Sequence, residues 1–219
     1  MAQGALLSPD ARADVLRRVA SAAAGAHAPL SVPRGYRRHG ALQPEERGEL
    51  FCRRAGEYRA DVRRVHAREV AAACAEICAA SGVRRLVVPQ GLPTAWRPSG
   101  VELVVDEGLS AHELDATDGA LTGCTLAIAE TGTIILTAGP AEGRRAISLV
   151  PDLHVCVVSE GQIVELVPEA FTALADRGLA RRPITLISGP SATSDIELSR
   201  VEGVHGPRNL FVLVLREVS

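Results

Sequence analysis

Two short apolar runs decide the fold of the chain: Leu86-Val87-Val88-Pro89 and Val101-Glu102-Leu103-Val104-Val105. Each run is bounded by Gly or Pro and is short for a helix, which is typical of buried strands. Strands that are apolar along their whole length are characteristic of parallel sheets, because helices cover both faces of such sheets. The two runs therefore predict a parallel sheet flanked by helices.

Further predicted strands and helices alternate downstream of these runs. Strands are expected at residues 154–158, 183–187 and 210–215, and a hairpin over residues 126–136 that turns at Thr131-Gly132. Helices are expected at residues 110–114 and 168–176. This alternation predicts an α/β core domain over residues 83–219, a layered sheet with flanking helices.

Residues 1–82 are predicted to form an amino-terminal helical extension. Ser8-Pro9-Asp10 begins an Ala-rich helix that Gly25 ends, and residues 28–44 form an arm rich in Pro, Gly and Arg. From Pro44 to Gly82 the apolar residues recur at helical spacing. One long or broken helix is expected there.

Composition and charge exclude several classes of function. A net charge of −2 over 219 residues provides no basic field for a phosphate backbone, so we expect no nucleic-acid partner. No apolar run approaches the roughly 20 residues that cross a bilayer, and residues 1–30 lack the pattern of a signal peptide. We therefore expect a cytoplasmic protein with no membrane partner.

The reactive residue types limit the chemistry further. The chain contains no Lys, which excludes Schiff-base catalysis and a phosphate-loop lysine. Its five Cys lack the C-x-x-C spacing of iron–sulfur ligands, and no dinucleotide motif is present. Cys74 and Cys78 stand four residues apart on a predicted helix, but core packing is the commoner use of such a pair. We expect neither a metal nor a cofactor.

A predicted strand leads into a hydroxyl-rich turn near the carboxyl terminus. The turn reads Ser188-Gly189-Pro190-Ser191-Ala192-Thr193-Ser194-Asp195-Ile196-Glu197, and a helix is expected to begin within it. The free N–H groups of a helix start attract carboxylates and phosphates, so the turn is a candidate anion site. The alternative is that Ser191, Thr193 and Asp195 simply cap their own helix.

Three other segments carry candidate chemistry. Glu130 stands beside a Gly turn, where burial would raise its pKa for acid–base or nucleophilic work, although an exposed hairpin tip is an equal alternative. Arg144 and Arg145 lie in a loop that begins at Gly143, and arginine pairs suit anions, but surface arginines are common in this chain. His205 stands in a Gly-rich turn that would let it approach a ligand.

Together these segments resemble the motifs of the LUD domain family, and within it the lactate utilisation C proteins. The resemblance rests on Gly123-Cys124-Thr125, Ala127-Ile128-Ala129-Glu130-Thr131-Gly132-Thr133, Arg145-Ala146-Ile147-Ser148-Leu149-Val150-Pro151, the turn that follows Ser188, and Gly203-Val204-His205-Gly206-Pro207. It covers residues 83–215. It implies a fold similar to the sugar-phosphate isomerase and CoA-transferase group, with the motif loops gathered at one edge of the sheet.

The resemblance also implies a function and a set of site residues. The function is participation in the oxidation of L-lactate to pyruvate, alongside partner subunits that carry iron–sulfur centres. Glu130 would be the catalytic residue, by analogy with the nucleophilic glutamate of CoA transferases. The ligand-binding residues would be Thr131, Gly132, Thr133, Ser148, Gly189, Pro190, Ser191, Thr193, Asp195, Glu197, His205 and Gly206.

Three functions remain open from the sequence. The first is a non-redox subunit of the lactate-oxidising system that binds a small anionic ligand and assembles with the iron–sulfur subunits. The second is an acyl or CoA transferase, or an isomerase, that uses Glu130. The third is a purely structural subunit that docks on its partners through the amino-terminal helix and arm, because a segment without a core of its own can order on binding.

Overall fold

The computed structural model describes residues 9–24, 33, 35–190, 192–193, 201–202 and 206–216. Five α-helices are present among them: α1 (Pro9–Ala23), α2 (Pro44–Glu57), α3 (Val70–Ala80), α4 (Ala111–Asp115) and α5 (Val167–Asp176). The described strands are β1 (Asp61–Val65), β2 (Arg85–Val88), β3 (Glu102–Val105), β4 (Gly119–Thr122), β5 (Leu126–Ile128), β6 (Thr133–Leu136), β7 (Leu153–Ser159), β8 (Ile163–Val164), β9 (Thr185–Ile187), β10 (Ala192–Thr193), β11 (Val201–Glu202) and β12 (Asn209–Leu215).

The chain divides into two compact units, residues 1–36 and 37–219. The first contains α1, on which Val15, Leu16 and Val19 are each more than half exposed. The second contains all of the described strands. The unit that holds the sheet therefore begins at residue 37, whereas the sequence analysis placed the beginning of the core domain at residue 83.

The main sheet has six strands in the order β1-β12-β7-β4-β2-β3, and every neighbouring pair is parallel. Its central strand, β7, is buried over six of its seven residues, because other layers cover both faces. Val155 and Val157 face the side covered by α3, and Cys156 and Val158 face the side that packs on α2. The predicted parallel sheet with flanking helices is confirmed.

A second sheet of four strands, in the order β8-β5-β6-β9, forms the next layer. One face of this sheet joins the α2 side of the core through Ala127, Ala129 and Ile134. Its other face packs against α5 through Leu126 and Ile135. The predicted hairpin is confirmed, because β5 and β6 pair antiparallel with Ile128 opposite Thr133.

The long or broken helix predicted over residues 44–82 is broken into α2 and α3, and the strand β1 between them was not predicted. Arg59 adopts a left-handed backbone with φ +69°, which ends α2, and Asp61–Val65 then pairs with β12 as an edge strand. The spacing of Val62 and Val65 is compatible with a helix. Arg63 and Arg64 between them interrupt the alternating or continuous apolar residues by which a strand is identified. Edge strands tolerate such charged residues because one of their sides is open to water.

The helix expected to begin within residues 191–195 is contradicted at residues 192–193. These form β10, which pairs antiparallel with β11 so that Ala192 lies opposite Glu202 and Thr193 opposite Val201. Ser, Thr and Asp favour turns as much as helix starts, so residue types alone do not separate the two structures. Among the described residues, no helix is long and apolar enough to cross a membrane.

Candidate functional site

The tip of the β5–β6 hairpin rests directly on the last turn of α2. Gly132 forms the tip with φ +61°, and a Cβ atom there would lie 2.5 Å from the backbone nitrogen of Ala55. Only glycine combines this backbone conformation with so close an approach. The sequence Glu130-Thr131-Gly132-Thr133 is therefore held at a fixed position on α2.

The turn that follows β9 rests on the same end of α2. Gly189 has φ +92°, and a Cβ atom there would lie 2.4 Å from the carbonyl oxygen of Tyr58, the residue that caps α2. Strand pairing also brings this turn to the hairpin tip. Because β6 and β9 are antiparallel with Ile134 opposite Ile187, the beginning of β6 lies beside the end of β9. Two glycine turns more than 50 residues apart in the chain are thus seated side by side.

A row of three hydroxyl groups joins the two turns. Thr133 Oγ1 lies 2.7 Å from Thr131 Oγ1 and 2.7 Å from Ser188 Oγ. Thr133 is buried, whereas Ser188 is exposed. Since each hydroxyl has one donor and two acceptor sites, the outer two keep capacity to bond a ligand. Ser188 was not predicted as a site residue, although it directly precedes the predicted Gly189-Pro190 turn.

Glu130 forms an ion pair with an arginine that the sequence analysis did not single out. Arg37 Nη2 lies 2.9 Å from Glu130 Oε1, and Arg37 Nη1 lies 3.4 Å from Glu165 Oε1. The side chain of Glu130 is 47% exposed, whereas that of Glu165 is 7% exposed. One guanidinium thus bridges an accessible and a buried carboxylate, and the group carries a formal net charge of −1.

Backbone hydrogen bonds fix the position of Arg37. Glu165 Oε2 accepts the N–H groups of Ala41 at 2.7 Å and Leu42 at 2.8 Å, and Glu169 Oε1 accepts that of Gly40 at 2.8 Å. Burial raises the pKa of Glu169, but the backbone N–H groups that it accepts outweigh burial and hold the pKa below its ordinary value. The segment that follows Arg37 is therefore anchored at the junction between β8 and α5.

The structure does not bring every predicted residue to this place. Ser148 is buried, donates to the carbonyl of Arg145 at 3.1 Å, and lines a cavity of about 140 Å³ beside Leu136 and Thr185, at the far ends of β6 and β9. Gly206 lines a larger cavity of about 1160 Å³ beside Asp118 and Leu153, at the amino ends of the main-sheet strands. Neither residue belongs to the hairpin tip.

The other predicted residues fall into three groups. Those brought together at the end of α2 are Glu130, Thr131, Gly132, Thr133, Gly189 and Pro190. Thr193 is described only as part of β10. Ser191, Asp195, Glu197 and His205 lie outside the described residues. We call the six residues of the first group, with Ser188 and Arg37, the hairpin-tip site.

Comparison with known proteins identifies relatives of the chain. A family model described as the LUD domain matches residues 105–215. A protein of Deinococcus radiodurans named lactate utilization protein C is 49% identical over 176 residues, which cover 78% of this chain and 82% of that protein. A protein of the same name from Shouchella clausii is 31% identical over 113 residues, about half of each chain.

A solved structure supports the same relationship. The crystal structure of a DUF162 family protein from Deinococcus radiodurans is 42% identical and superposes with a TM-score of 0.70. The match covers 80% of this chain and 100% of the solved chain. At this identity the match extends beyond the general fold, and it agrees with the layered α/β architecture described above.

Proposed function

This chain belongs to the LUD domain family, and we propose that it is a cytoplasmic, non-redox subunit of an L-lactate oxidation system. The relatives named lactate utilization protein C support a role in lactate utilisation. The lack of C-x-x-C spacing among the five cysteines supports a subunit that does not carry the iron–sulfur centres itself. In this proposal it binds a small anion and assembles with the subunits that carry them.

The seating of two glycine turns on one end of α2 is the observation that supports a ligand site. It places the Glu130 carboxylate, the Arg37 guanidinium and the hydroxyl row of Thr131, Thr133 and Ser188 around the hairpin tip. Residues 191–205 continue from this turn, and we include Ser191, Thr193, Asp195, Glu197 and His205 in the proposed site. Arginine and hydroxyl groups are the common partners of a 2-hydroxy or 2-oxo acid.

Arg37 is the group that would bind the carboxylate of such a ligand. Because Glu130 already occupies Arg37 Nη2 at 2.9 Å, the ligand must displace Glu130 from the guanidinium. The buried Glu165, anchored by two backbone N–H groups, would keep Arg37 in place during this exchange. Glu130 is therefore a competitor of the ligand in this arrangement, and its removal should strengthen binding.

Calorimetric titration with L-lactate and with pyruvate tests this arrangement. We expect wild-type protein to bind at least one of them, Arg37→Gln to abolish binding and Glu130→Gln to strengthen it. Arg53→Gln, at an exposed arginine of α2 that forms no ion pair with Glu130 or Glu165, is the matched control and should bind as wild type. Wild-type protein that binds neither acid, or Arg37→Gln protein that binds normally, would overturn the proposed site.

Assembly with partner subunits is tested through α1. Leu16 and Val19 expose 56% and 60% of their surface, so this helix carries an apolar face in contact with solvent. Leu16→Asp should reduce co-purification with the iron–sulfur subunits, whereas Ser21→Asp, an exposed position on the same helix, should not. Equal recovery with both variants would argue against docking through α1.

A transferase is the second candidate function, and the accessibility of Glu130 favours it. In such a reaction a carboxylate oxygen of Glu130 attacks the thioester carbon of an acyl-CoA, the carbon–sulfur bond breaks and CoA leaves as thiolate. The product is a mixed anhydride that the thiolate then converts to a glutamyl-CoA thioester with release of the acid. Intact mass measurement after incubation with acyl-CoA should show an adduct that Glu130→Gln abolishes. An unmodified mass with every acyl-CoA tried would exclude this reaction.

A further inference from the structure

We propose that the chain has a second anion site, for a phosphate-bearing small molecule, in a cavity at the carboxyl ends of β2 and β3. This carboxyl-edge cavity has a volume of about 710 Å³. It is lined by Pro89, Gln90, Gly91, Asp106, Gly108, Ala138, Gly139, Pro140, Gly143, Arg144 and Arg182. The inference is independent of the hairpin-tip site, because the two places share none of their residues.

The topology of the main sheet supports this location. From β2 the chain moves outward to β3, whereas from β4 it moves the other way, to β7 and then β12. The order of the strands therefore reverses between β2 and β4. In open α/β sheets, ligands bind outside the carboxyl ends of the strands at such a reversal. Pro89, which follows β2, lines the cavity, and Gly123, which follows β4, donates its N–H at 2.8 Å to the carbonyl of Ala141, the neighbour of the lining residue Pro140.

Charges in the cavity favour an anion. Asp106 and Arg144 form a two-pronged ion pair, with Nε–Oδ2 at 2.7 Å and Nη2–Oδ1 at 2.8 Å. This pair neutralises Asp106, whose pKa is lowered first of all by the hydrogen bonds from Arg144. In the described part of the chain, no carboxylate lies within ion-pair distance of Arg182. Its charge is therefore uncompensated by the residues of the cavity wall.

The loop that carries Arg144 is held in place before any ligand arrives. Glu142 is buried and accepts the N–H groups of Thr137 at 2.6 Å and Gly139 at 2.9 Å. Between them, Ala138 adopts a left-handed backbone with φ +56°, which is unfavourable for a residue with a Cβ atom. A strained and internally anchored loop in the wall of a cavity is typical of a preformed binding site.

Close backbone contacts shape the rest of the wall. A Cβ atom at Gly91 would lie 2.6 Å from the carbonyl oxygen of Pro140, so the loops after β2 and β6 meet main chain to main chain. The lining glycines have no side chains and so leave room for a ligand to approach the wall closely, and arginine binds phosphate oxygens through paired hydrogen bonds. A phosphate group has three oxygens with which to meet both Arg144 and Arg182, whereas a carboxylate has two, so the pair of arginines in this wall favours a phosphate group.

The proposal is tested by calorimetric titration of the protein with pyrophosphate as the probe. A second titration with acetate, at the same ionic strength, gives the affinity for a carboxylate. We expect wild-type protein to bind pyrophosphate more tightly than acetate. Arg182→Gln should weaken pyrophosphate binding by about tenfold or more, because one charge-assisted interaction is lost. Arg181→Gln, the neighbouring exposed arginine outside the cavity wall, should leave the affinity unchanged.

Two further variants separate this site from the hairpin tip and from a folding defect. Asp106→Asn should strengthen pyrophosphate binding, because it removes the negative charge beside Arg144 and keeps an oxygen acceptor for the N–H groups of Gly108 and Leu109. Arg37→Gln should bind pyrophosphate as wild type. Absence of pyrophosphate binding, equal affinity in Arg182→Gln, or loss of binding in Arg37→Gln would each overturn the proposal.

Discussion

Thr133 Oγ1 lies 2.7 Å from Ser188 Oγ, although the two residues stand 55 positions apart in the chain. This hydrogen bond links the hairpin tip to the turn after β9, and one of its two partners, Thr133, is buried. Thr133→Val keeps the side-chain shape but removes the hydroxyl that serves both Thr131 and Ser188. We expect the free energy of unfolding to fall by about 1–2 kcal/mol in urea titrations. Thr172→Val, at an exposed position of α5, should change it by less than about 0.5 kcal/mol.

Gly189 is predicted to be intolerant of any side chain. Alanine there would adopt φ +92° and would collide with the carbonyl of Tyr58 at 2.4 Å. The left-handed backbone costs about 1 kcal/mol and the collision adds about 1–3 kcal/mol, so Gly189→Ala should be strongly destabilised. Gly178 has φ +68° with no atom within 4 Å of its Cβ position. Gly178→Ala should therefore lose only the backbone cost, and equal losses in urea titrations would contradict the close contact.

How far the sequence predicts this fold depends on where each strand lies in the sheet. The central strand β7 is apolar along its length because both of its faces are covered, so its pattern identifies it. The edge strand β1 carries Arg63 and Arg64 in succession, both only partly buried and ion-paired with Asp61 and Glu160, and its sequence is equally compatible with a helix. The apolar pattern of the sequence therefore identifies strands that are buried on both faces and misses strands that form only because they pair with a neighbouring strand.

The same distinction applies to the candidate site. Gly132 and Gly189 are identifiable from sequence because a turn between two apolar runs needs a residue that tolerates positive φ. Arg37 is not identifiable, because its position depends on N–H groups of residues 40–42 that bond to carboxylates more than 120 positions away. Ser148 was grouped with Glu130 by resemblance alone, and the length of β6 separates them.

His154 should make stability depend on pH in the acidic range. It is fully buried, its Nε2 lies 2.8 Å from Thr122 Oγ1, and its Nδ1 has no partner. Burial lowers its pKa from 6.5 to about 4, so between these values the unfolded chain binds a proton that the folded protein does not. Stability is then full above pH 6.5 and falls as the pH decreases toward 4, by about 3 kcal/mol at most.

His154→Gln isolates this contribution, because an amide does not titrate and is able to keep the bond to Thr122. Urea titrations at pH 7, 5.5 and 4.5 should show a smaller decrease in unfolding free energy for the variant than for wild type. Carboxylates also titrate in this range, so the difference between the two proteins is the quantity to compare. Parallel curves would indicate that folding does not lower the pKa of His154.

Thiol reactivity should follow burial. Cys74, Cys78, Cys124 and Cys156 are buried, and desolvation raises the pKa of Cys74 to about 12 and that of Cys78 to about 11. Cys52 is partly exposed, and its pKa is raised chiefly by desolvation. At pH 8 a disulfide reagent should modify Cys52 slowly and the other four only after unfolding. Rapid modification of more than one thiol in folded protein would contradict this burial pattern.

Glu142 should control the loop that carries Arg144. The residue is 5% exposed, and its carboxylate accepts hydrogen bonds from the hydroxyl of Thr125 and from the N–H groups of Thr137 and Gly139. Glu142→Gln leaves the N–H groups of Thr137 and Gly139 with a neutral amide oxygen in place of a carboxylate oxygen, so the unfolding free energy should fall by about 2 kcal/mol. Glu107→Gln, at an exposed position, is the control and should change little. Amide hydrogen exchange at residues 137–139 should become faster in Glu142→Gln but not in the control, because the N–H groups of Thr137 and Gly139 lose their charged acceptor. Unchanged exchange there would show that other contacts hold the loop.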